Sequence, residues 1–255
     1  MPRRLFLLTL AGSAAVAAVA GAESDRQPRA DAPRAAVPPA FWRPVADGFL
    51  RGQLSLGRTE LFRIDLSRYA TAVVVPGKEA PRTAAEMRAA RGALLAVNGG
   101  FFDENGKPLG LRIEDGQTRI KLRPRVDWGV VLLRAGSAAI VHSRDYVEEP
   151  NVMGAIQVGP RLLVDGRPTR LKPQSARRTV VGVDRSGRWL TVGTSRDRVL
   201  AEDLAAALAG LDVHAAMMLD GGPSAQLSAK IGTTAVEIPG GYSVPDGLLI
   251  LPARP

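Results

Sequence analysis

Two stretches of this chain share one order: an apolar run, a short polar side chain, and then two glycines. They comprise residues 93–97 followed by Asn98-Gly99-Gly100, and residues 215–219 followed by Asp220-Gly221-Gly222. Each run is short enough for a buried strand, and paired glycines permit a positive φ and close approach of a ligand to the main chain. The repeated order predicts two strand ends that converge on one pocket. An ordinary polar-Gly turn between two strands is the alternative interpretation of each stretch.

A helix is predicted before each of these two strands. Thr83 and Glu86 have the spacing of a capping box, and Gly92 is a suitable C-terminal stop. Residues 200–209 form the second predicted helix, which ends at Gly210. The repeated succession of helix, strand and Gly-Gly turn strengthens the expectation that the two turns meet.

Many short β-branched or alternating segments predict strands in the rest of the chain. The clearest signal is a hairpin in which residues 177–183 pair with residues 189–192 through the turn 184–187. A further strand is predicted at residues 225–227. The predicted fold class is α+β: a single compact domain with a mixed, mainly antiparallel β-sheet and two main helices.

The chain divides into three parts by composition. Residues 1–22 have a basic start, an apolar run and a small-x-small ending, which predicts an export signal cleaved near Ala22; an uncleaved N-terminal anchor is the alternative. Residues 23–40 mix Pro, Ala, Arg and Asp without periodicity and are predicted to be a disordered linker. Residues 41–255 are the predicted folded domain, with no other stretch apolar enough to span a membrane. The expected location is periplasmic or extracellular.

Composition narrows the possible chemistry. The chain has no cysteine, only two histidines, and no P-loop or dinucleotide fingerprint. No cofactor and no metal ligands are therefore predicted, although calcium bound by oxygen atoms leaves no sequence signature, so metal dependence stays open. The net charge of +9 fits anion binding, but the aromatic residues are too few for a base-stacking platform, so no nucleic-acid partner is expected. The oligomeric state stays open.

Four sequence blocks, in order, resemble the phosphodiester glycosidase family. They are Asn98-Gly99-Gly100-Phe101-Phe102, Gly159-Pro160-Arg161-Leu162, Arg178-Thr179 and Leu219-Asp220-Gly221-Gly222-Pro223-Ser224. The resemblance runs from about Phe62 to the C-terminus and includes the bacterial, exopolysaccharide-associated branch of the family. It implies a hydrolase that cleaves a sugar phosphodiester, with a sugar-phosphate or polysaccharide substrate.

Asp220 is the predicted catalytic carboxylate, and Asp103 is the second candidate. A phosphate ester leaves with low basicity, so one carboxylate suffices to activate water if a cation neutralises the leaving group. Arg178 is the predicted phosphate ligand because a guanidinium offers a fixed fork of donors. It is expected to pair with Asp220, Asp103 or an anion in the empty protein, whereas Arg177 is expected to be solvated.

The remaining predicted substrate-binding residues flank these groups. Asn98 binds a sugar substituent or caps its own turn, and Ser224 is a ligand group or a turn hydroxyl. The others are Gly99, Gly100, Gly159, Thr179, Gly221 and Gly222. The predicted function is an exported glycosidase that hydrolyses a sugar 1-phosphodiester or related glycoside of envelope or extracellular polysaccharide. The alternative is a non-catalytic envelope protein that binds polysaccharide or anions.

Overall fold

The computed structural model describes residues 41–75, 82–124 and 126–252. The predicted export signal and the 23–40 linker lie outside the described residues. Within them, no helix is long and apolar enough to cross a membrane.

The described chain consists mainly of short strands. The strands are β1 (Arg43–Ala46), β2 (Phe49–Leu54), β3 (Thr59–Asp65), β4 (Ala70–Val74), β5 (Leu95–Asn98), β6 (Arg112–Glu114), β7 (Gln117–Ile120), β8 (Gly129–Arg134), β9 (Ser137–His142), β10 (Gly154–Val158), β11 (Arg161–Val164), β12 (Arg167–Pro168), β13 (Ser175–Ala176), β14 (Thr179–Val183), β15 (Trp189–Thr194), β16 (Val199–Leu200), β17 (Ala215–Met218), β18 (Leu227–Ile231), β19 (Thr234–Ile238) and β20 (Gly247–Leu251). The helices are α1 (Ala84–Ala90) and α2 (Ala201–Ala209), with short 3-10 turns at Leu56–Arg58, Ser143–Asp145 and Gly222–Ser224.

These strands form three large sheets. The eight-stranded sheet has the order β1-β2-β3-β15-β14-β17-β11-β12. The two five-stranded sheets have the orders β19-β18-β5-β20-β4 and β7-β6-β10-β8-β9, and β13 pairs with β16. Every strand pair in the described ranges is antiparallel, which corrects the predicted mixed sheet. The fold is also richer in β-structure than the α+β class suggests.

The main core lies between the three sheets. Side chains alternate along each strand, so Val181 and Met217 of the eight-stranded sheet face this core together with Val97 and Leu248 of β5 and β20. The opposite face of the eight-stranded sheet packs against α2, where Leu204 belongs to a second apolar cluster. Each Gly-Gly turn therefore follows a strand that is buried on both faces.

The two predicted helices are present and lie outside the sheets. Thr83 and Glu86 make the reciprocal bonds of the predicted capping box of α1. Met87 of α1 packs on Ala96 of β5, so α1 covers the strand that leads to the first Gly-Gly turn. Helix α2 occupies the equivalent position before β17 and ends before Gly210, as predicted.

The predicted hairpin of β14 and β15 is confirmed, with Val183 opposite Leu190. The strand predicted at residues 225–227 is displaced. Gly222–Ser224 form a 3-10 turn, and β18 begins only at Leu227, because the chain must first turn away from β17.

Candidate active site

The two Gly-Gly turns meet at the junction of the eight-stranded sheet and the sheet that contains β5. The backbone N–H of Asp220 donates to the carbonyl of Gly99 at 3.0 Å. The Asn98 side-chain amide donates to the carbonyl of Asp220 at 2.8 Å. The strand ends therefore meet, as the repeated sequence order predicts, but Asn98 and its two glycines do not line the cavity beside Asp220, so the two turns do not share one pocket.

The side chain of Asn98 is fully buried between the two turns. Its Oδ1 accepts from the Thr179 hydroxyl at 2.7 Å and from the Gln226 N–H at 3.1 Å, and its Nδ2 contacts two carbonyls. All of its hydrogen-bonding groups are thus used within the protein. Asn98 and Thr179 hold the strand ends together, and the geometry offers no support for ligand binding by either side chain.

Gly99 and Gly100 are required by a buried ion pair behind the first turn. Asp246 and Arg112 are both fully buried and bonded to each other. A Cβ at Gly99 would overlap the Asp246 carboxylate, and one at Gly100 would overlap the Arg112 guanidinium. These glycines therefore accommodate a close internal contact, and neither lines the cavity beside Asp220.

Sequence reasoning missed this ion pair. The available signals were an arginine within the apolar segment 111–113 and an aspartate directly before the apolar strand β20. Arg112 also donates to backbone carbonyls, including those of Phe101 at 3.3 Å and Gln157 at 3.0 Å. The ion pair therefore ties the Gly-Gly-Phe segment to neighbouring strands.

A cavity of about 840 Å³ opens beside the second Gly-Gly turn. Five of the predicted site residues line it: Gly159, Arg178, Asp220, Gly221 and Gly222. The other six do not: Asn98, Gly99, Gly100, Asp103, Thr179 and Ser224. The remaining wall consists of apolar side chains and the loop 170–174, and neither histidine belongs to it.

The Asp220 carboxylate is half-buried and directed by two hydrogen bonds. Oδ1 accepts from the Gly221 N–H at 2.9 Å, and Oδ2 accepts from the Ser224 hydroxyl at 2.6 Å. Burial raises the pKa of Asp220, whereas the bonds from Ser224 and Gly221 oppose that rise. Each carboxylate oxygen keeps a second lone pair that is able to accept a proton from water.

Arg178 is a buried cation in the same cavity, with 7% of its surface exposed. Its Nη2 donates to the Gln174 carbonyl, but its Nε has no hydrogen-bond partner among the described residues. Burial lowers its pKa, and repulsion from Arg198 lowers it further. The predicted pairing with Asp220 or Asp103 is therefore wrong, and the guanidinium keeps donor capacity for a ligand.

Arg177 also differs from expectation. It is half-buried rather than solvated, because its Nη2 donates to the Pro239 carbonyl at 2.9 Å. Its own carbonyl accepts from the Gly222 N–H at 2.9 Å. Arg177 thus supports the second Gly-Gly turn through its backbone carbonyl.

The comparisons with known proteins agree with this arrangement. The phosphodiester glycosidase family matches residues 91–251, which contain both Gly-Gly turns, Arg178 and Asp246. The chain belongs to the phosphodiester glycosidase family. This is a family of glycosidase-type hydrolases.

The chain is similar in sequence to a curated protein and similar in fold to solved structures. Over 140 residues the chain is 29% identical to the uncharacterized Escherichia coli (strain K12) protein YigE; the match covers 50% of this chain and 55% of YigE, so it spans about half of that curated relative. The catalytic domain of zebrafish N-acetylglucosamine-1-phosphodiester alpha-N-acetylglucosaminidase, auto-inhibited by its pro-peptide, has the same fold (TM-score 0.58, 20% identity, 77% of each chain covered). A hypothetical protein from Synechocystis also shares it (TM-score 0.63, 13% identity, 86% of this chain and 64% of that chain).

Asp103, the second candidate carboxylate, accepts hydrogen bonds from its own loop. It accepts from the backbone N–H groups of Asn105 at 3.0 Å and Lys107 at 2.9 Å. It is absent from the cavity lining, so the geometry favours Asp220. Across residues 41–75, 82–124 and 126–252, no group of three or more acidic or histidine side chains is placed to hold a metal ion.

Ser224 is fully buried, and its hydroxyl also lies 3.1 Å from that of the half-exposed Tyr242. Ser224→Ala removes a bond to the charged form of Asp220 and should raise its pKa further. As pH falls, a base with a higher pKa is protonated earlier, so the acid limb of the kcat/KM profile should move to higher pH. Ser224→Thr keeps the hydroxyl and is the matched control; an unmoved limb in Ser224→Ala would contradict this role.

Proposed function

We propose that this protein is an exported glycosidase that hydrolyses a sugar 1-phosphodiester of the cell envelope or of extracellular polysaccharide. The observation that carries the proposal is Arg178, a buried cation that lines the same cavity as Asp220 and whose Nε has no hydrogen-bond partner among the described residues. A buried guanidinium without an acidic partner is costly, and an anionic ligand would compensate for that cost. A phosphodiester supplies such an anion next to the bond that a glycosidase cleaves.

Asp220 and Arg178 have different roles in the proposed reaction. Asp220 accepts a proton from water, whose oxygen bonds to C1 of the sugar as the bond between C1 and the phosphate oxygen breaks. The products are the free sugar and a phosphate monoester, and the proton later passes from Asp220 to solvent. Arg178 stabilises the negative charge that accumulates on the departing phosphate.

The positions of Asp220 and Arg178 suit these two roles. A Cβ placed on Gly221 would lie 3.8 Å from Nη1 of Arg178, so the guanidinium borders the residue that follows Asp220. The absence of a side chain at Gly221 leaves this contact open to substrate. Base and cation therefore lie side by side in one cavity, as a sugar and its phosphate require.

Export is supported by the order of residues 1–22. A protein of the same fold from Burkholderia pseudomallei K96243, whose description proposes export, adds to this support (TM-score 0.53, 16% identity, 80% of this chain and 74% of that chain). The zebrafish enzyme's name makes N-acetylglucosamine 1-phosphodiesters the first substrates to test.

Arg178→Ala should lower kcat/KM for a phosphodiester substrate roughly ten- to a hundred-fold, since a charge-assisted hydrogen bond contributes about 1.5–3 kcal/mol. Arg178→Lys keeps the charge without the fork and should show an intermediate loss. The loss should be larger for N-acetylglucosamine 1-(methyl phosphate) than for a neutral aryl glycoside of the same sugar. Only the first substrate offers an anion to the guanidinium.

The matched control is Arg185→Ala, which removes an exposed arginine outside the cavity. Circular dichroism checks that each variant is folded. Equal losses on both substrates would assign Arg178 a structural role and refute the proposed leaving-group site.

A further inference from the structure

One wall of the cavity carries two more cations. The loop 170–174 joins β12 to β13, and both Arg170 and Lys172 are exposed on it and line the cavity. Neither side chain has an ion-pair or hydrogen-bond partner within the part of the chain that the structure describes. Together with Arg178 they face one carboxylate, that of Asp220.

Several arginines elsewhere in the molecule pair with a carboxylate, although exposed cations such as Arg185 and Lys230 have no acidic partner among the described residues. Arg51 pairs with Glu60 at 3.0 Å, and Arg134 pairs with Glu149 at 2.8 Å. Even the fully buried Arg112 has a carboxylate partner. The cavity thus concentrates cations that the fold itself does not neutralise, and Arg198 adds further positive potential beside Arg178.

The start of α2 also favours an anion in the cavity. Ala201, its first residue, lines the cavity, and the preceding Leu200 supplies no side-chain cap. Uncapped N–H groups at a helix start favour an anion. The acidic residues of this first turn, Glu202 and Asp203, are not part of the cavity lining.

We propose that Arg170, Lys172 and the start of α2 form a second anion subsite, which binds a leaving group bearing another phosphate beyond the scissile one. This inference rests on the proposed function. The cavity volume lies in the upper part of the roughly 300–1,000 Å³ range of small-molecule sites, which leaves room beyond a sugar and one phosphate. The second phosphate takes no part in bond making or breaking; it positions the leaving group.

Two kinds of molecule carry this chemistry: a nucleoside diphosphate sugar, and a sugar within a repeating phosphodiester polymer. The test therefore compares three substrates with one sugar: its 1-(methyl phosphate), its uridine diphosphate derivative, and its 1-phosphoglycerol ester with a second phosphate on the glycerol. The double variant Arg170→Ala/Lys172→Ala should lower kcat/KM roughly three- to ten-fold for a substrate with two phosphates. The loss should fall mainly on KM, shrink at high salt, and be less than about two-fold for the methyl phosphate. The two-phosphate substrate whose kcat/KM falls in the double variant shows which of the two kinds of molecule the subsite binds.

Arg185→Ala/Lys230→Ala removes two exposed cations outside the cavity and controls for net charge. Equal losses on substrates with one and two phosphates would overturn the proposal.

Calorimetric binding of inorganic pyrophosphate and orthophosphate tests the subsite even if no substrate is turned over. The unmodified protein should prefer pyrophosphate, and the Arg170→Ala/Lys172→Ala variant should lose that preference. Absence of the preference in the unmodified protein refutes the subsite. Its presence without turnover of any sugar phosphodiester refutes the proposed function alone.

Discussion

Asp220→Asn is expected to reduce turnover roughly 10²–10⁴-fold while leaving substrate affinity nearly unchanged. Asparagine preserves the size of the side chain; its Oδ1 is able to accept the hydrogen bond from Gly221, while its amide donates to the Ser224 hydroxyl where the second carboxylate oxygen accepted from it. It cannot remove a proton from water. Initial rates on an N-acetylglucosamine 1-phosphodiester and calorimetric binding of the same compound measure the two effects separately.

The control for this substitution is Asp115→Asn, because Asp115 is exposed and lies in a left-handed turn that asparagine also adopts readily. The same change at Asp103 tests the second candidate carboxylate and should have little effect, since Asp103 lies outside the cavity lining. Undiminished turnover in Asp220→Asn would remove Asp220 from the mechanism. Ligand binding without turnover in the unmodified protein would favour the non-catalytic envelope-protein alternative.

Asp246→Asn should destabilise the protein by about 3–5 kcal/mol, because it leaves the fully buried Arg112 charge without its acidic partner. A loss of this size corresponds to a fall in Tm of roughly 10 °C for a domain of this length. Chemical denaturation measures the free energy of unfolding, and calorimetry measures Tm. Activity measured well below the new Tm should fall as well, because this ion pair lies against Gly99 and Gly100.

The comparison for that substitution is Asp197→Asn. Asp197 pairs with Arg58 at 2.7 Å, but 50% and 64% of the two side chains are exposed, so the loss of stability should be much smaller than for Asp246→Asn. Similar small losses in both variants would mean that the buried pair is better compensated than its burial indicates.

Local sequence signals were sufficient for both helices and for the clearest hairpin. The capping box of α1 and the hairpin turn at 184–187 depend on residues a few positions apart, and both were predicted correctly. The arrangement of the strands into three antiparallel sheets was not accessible, because neighbours such as β3 and β15 are far apart in sequence. Alternation of side chains shows that a strand has a buried face, but not which strand covers it.

The candidate site was also predictable only in part, because some of its contacts join residues that are far apart in sequence. Asp220, a polar group at the end of an apolar run, and Arg178, a guanidinium within a family block, both line the cavity. The contribution of Asp246 required the fold, since it meets Arg112 across 134 positions. The expected partner of Arg178 was wrong, because no sequence signal indicates that the nearby carboxylates bind Ser224, Gly221 and the Asp103 loop instead.

The buried amide of Asn98 has a consequence for how the protein folds. It bonds to groups 81, 122 and 128 positions away, in or next to strands of the two sheets that meet at the site. Contacts between such distant positions require closure of long loops and form slowly during folding. The turn that carries Asp220 can take its final position only when both sheets are in place. We therefore expect catalytic competence to arise at the end of folding, so that partly folded chains are inert towards sugar phosphates wherever they encounter them.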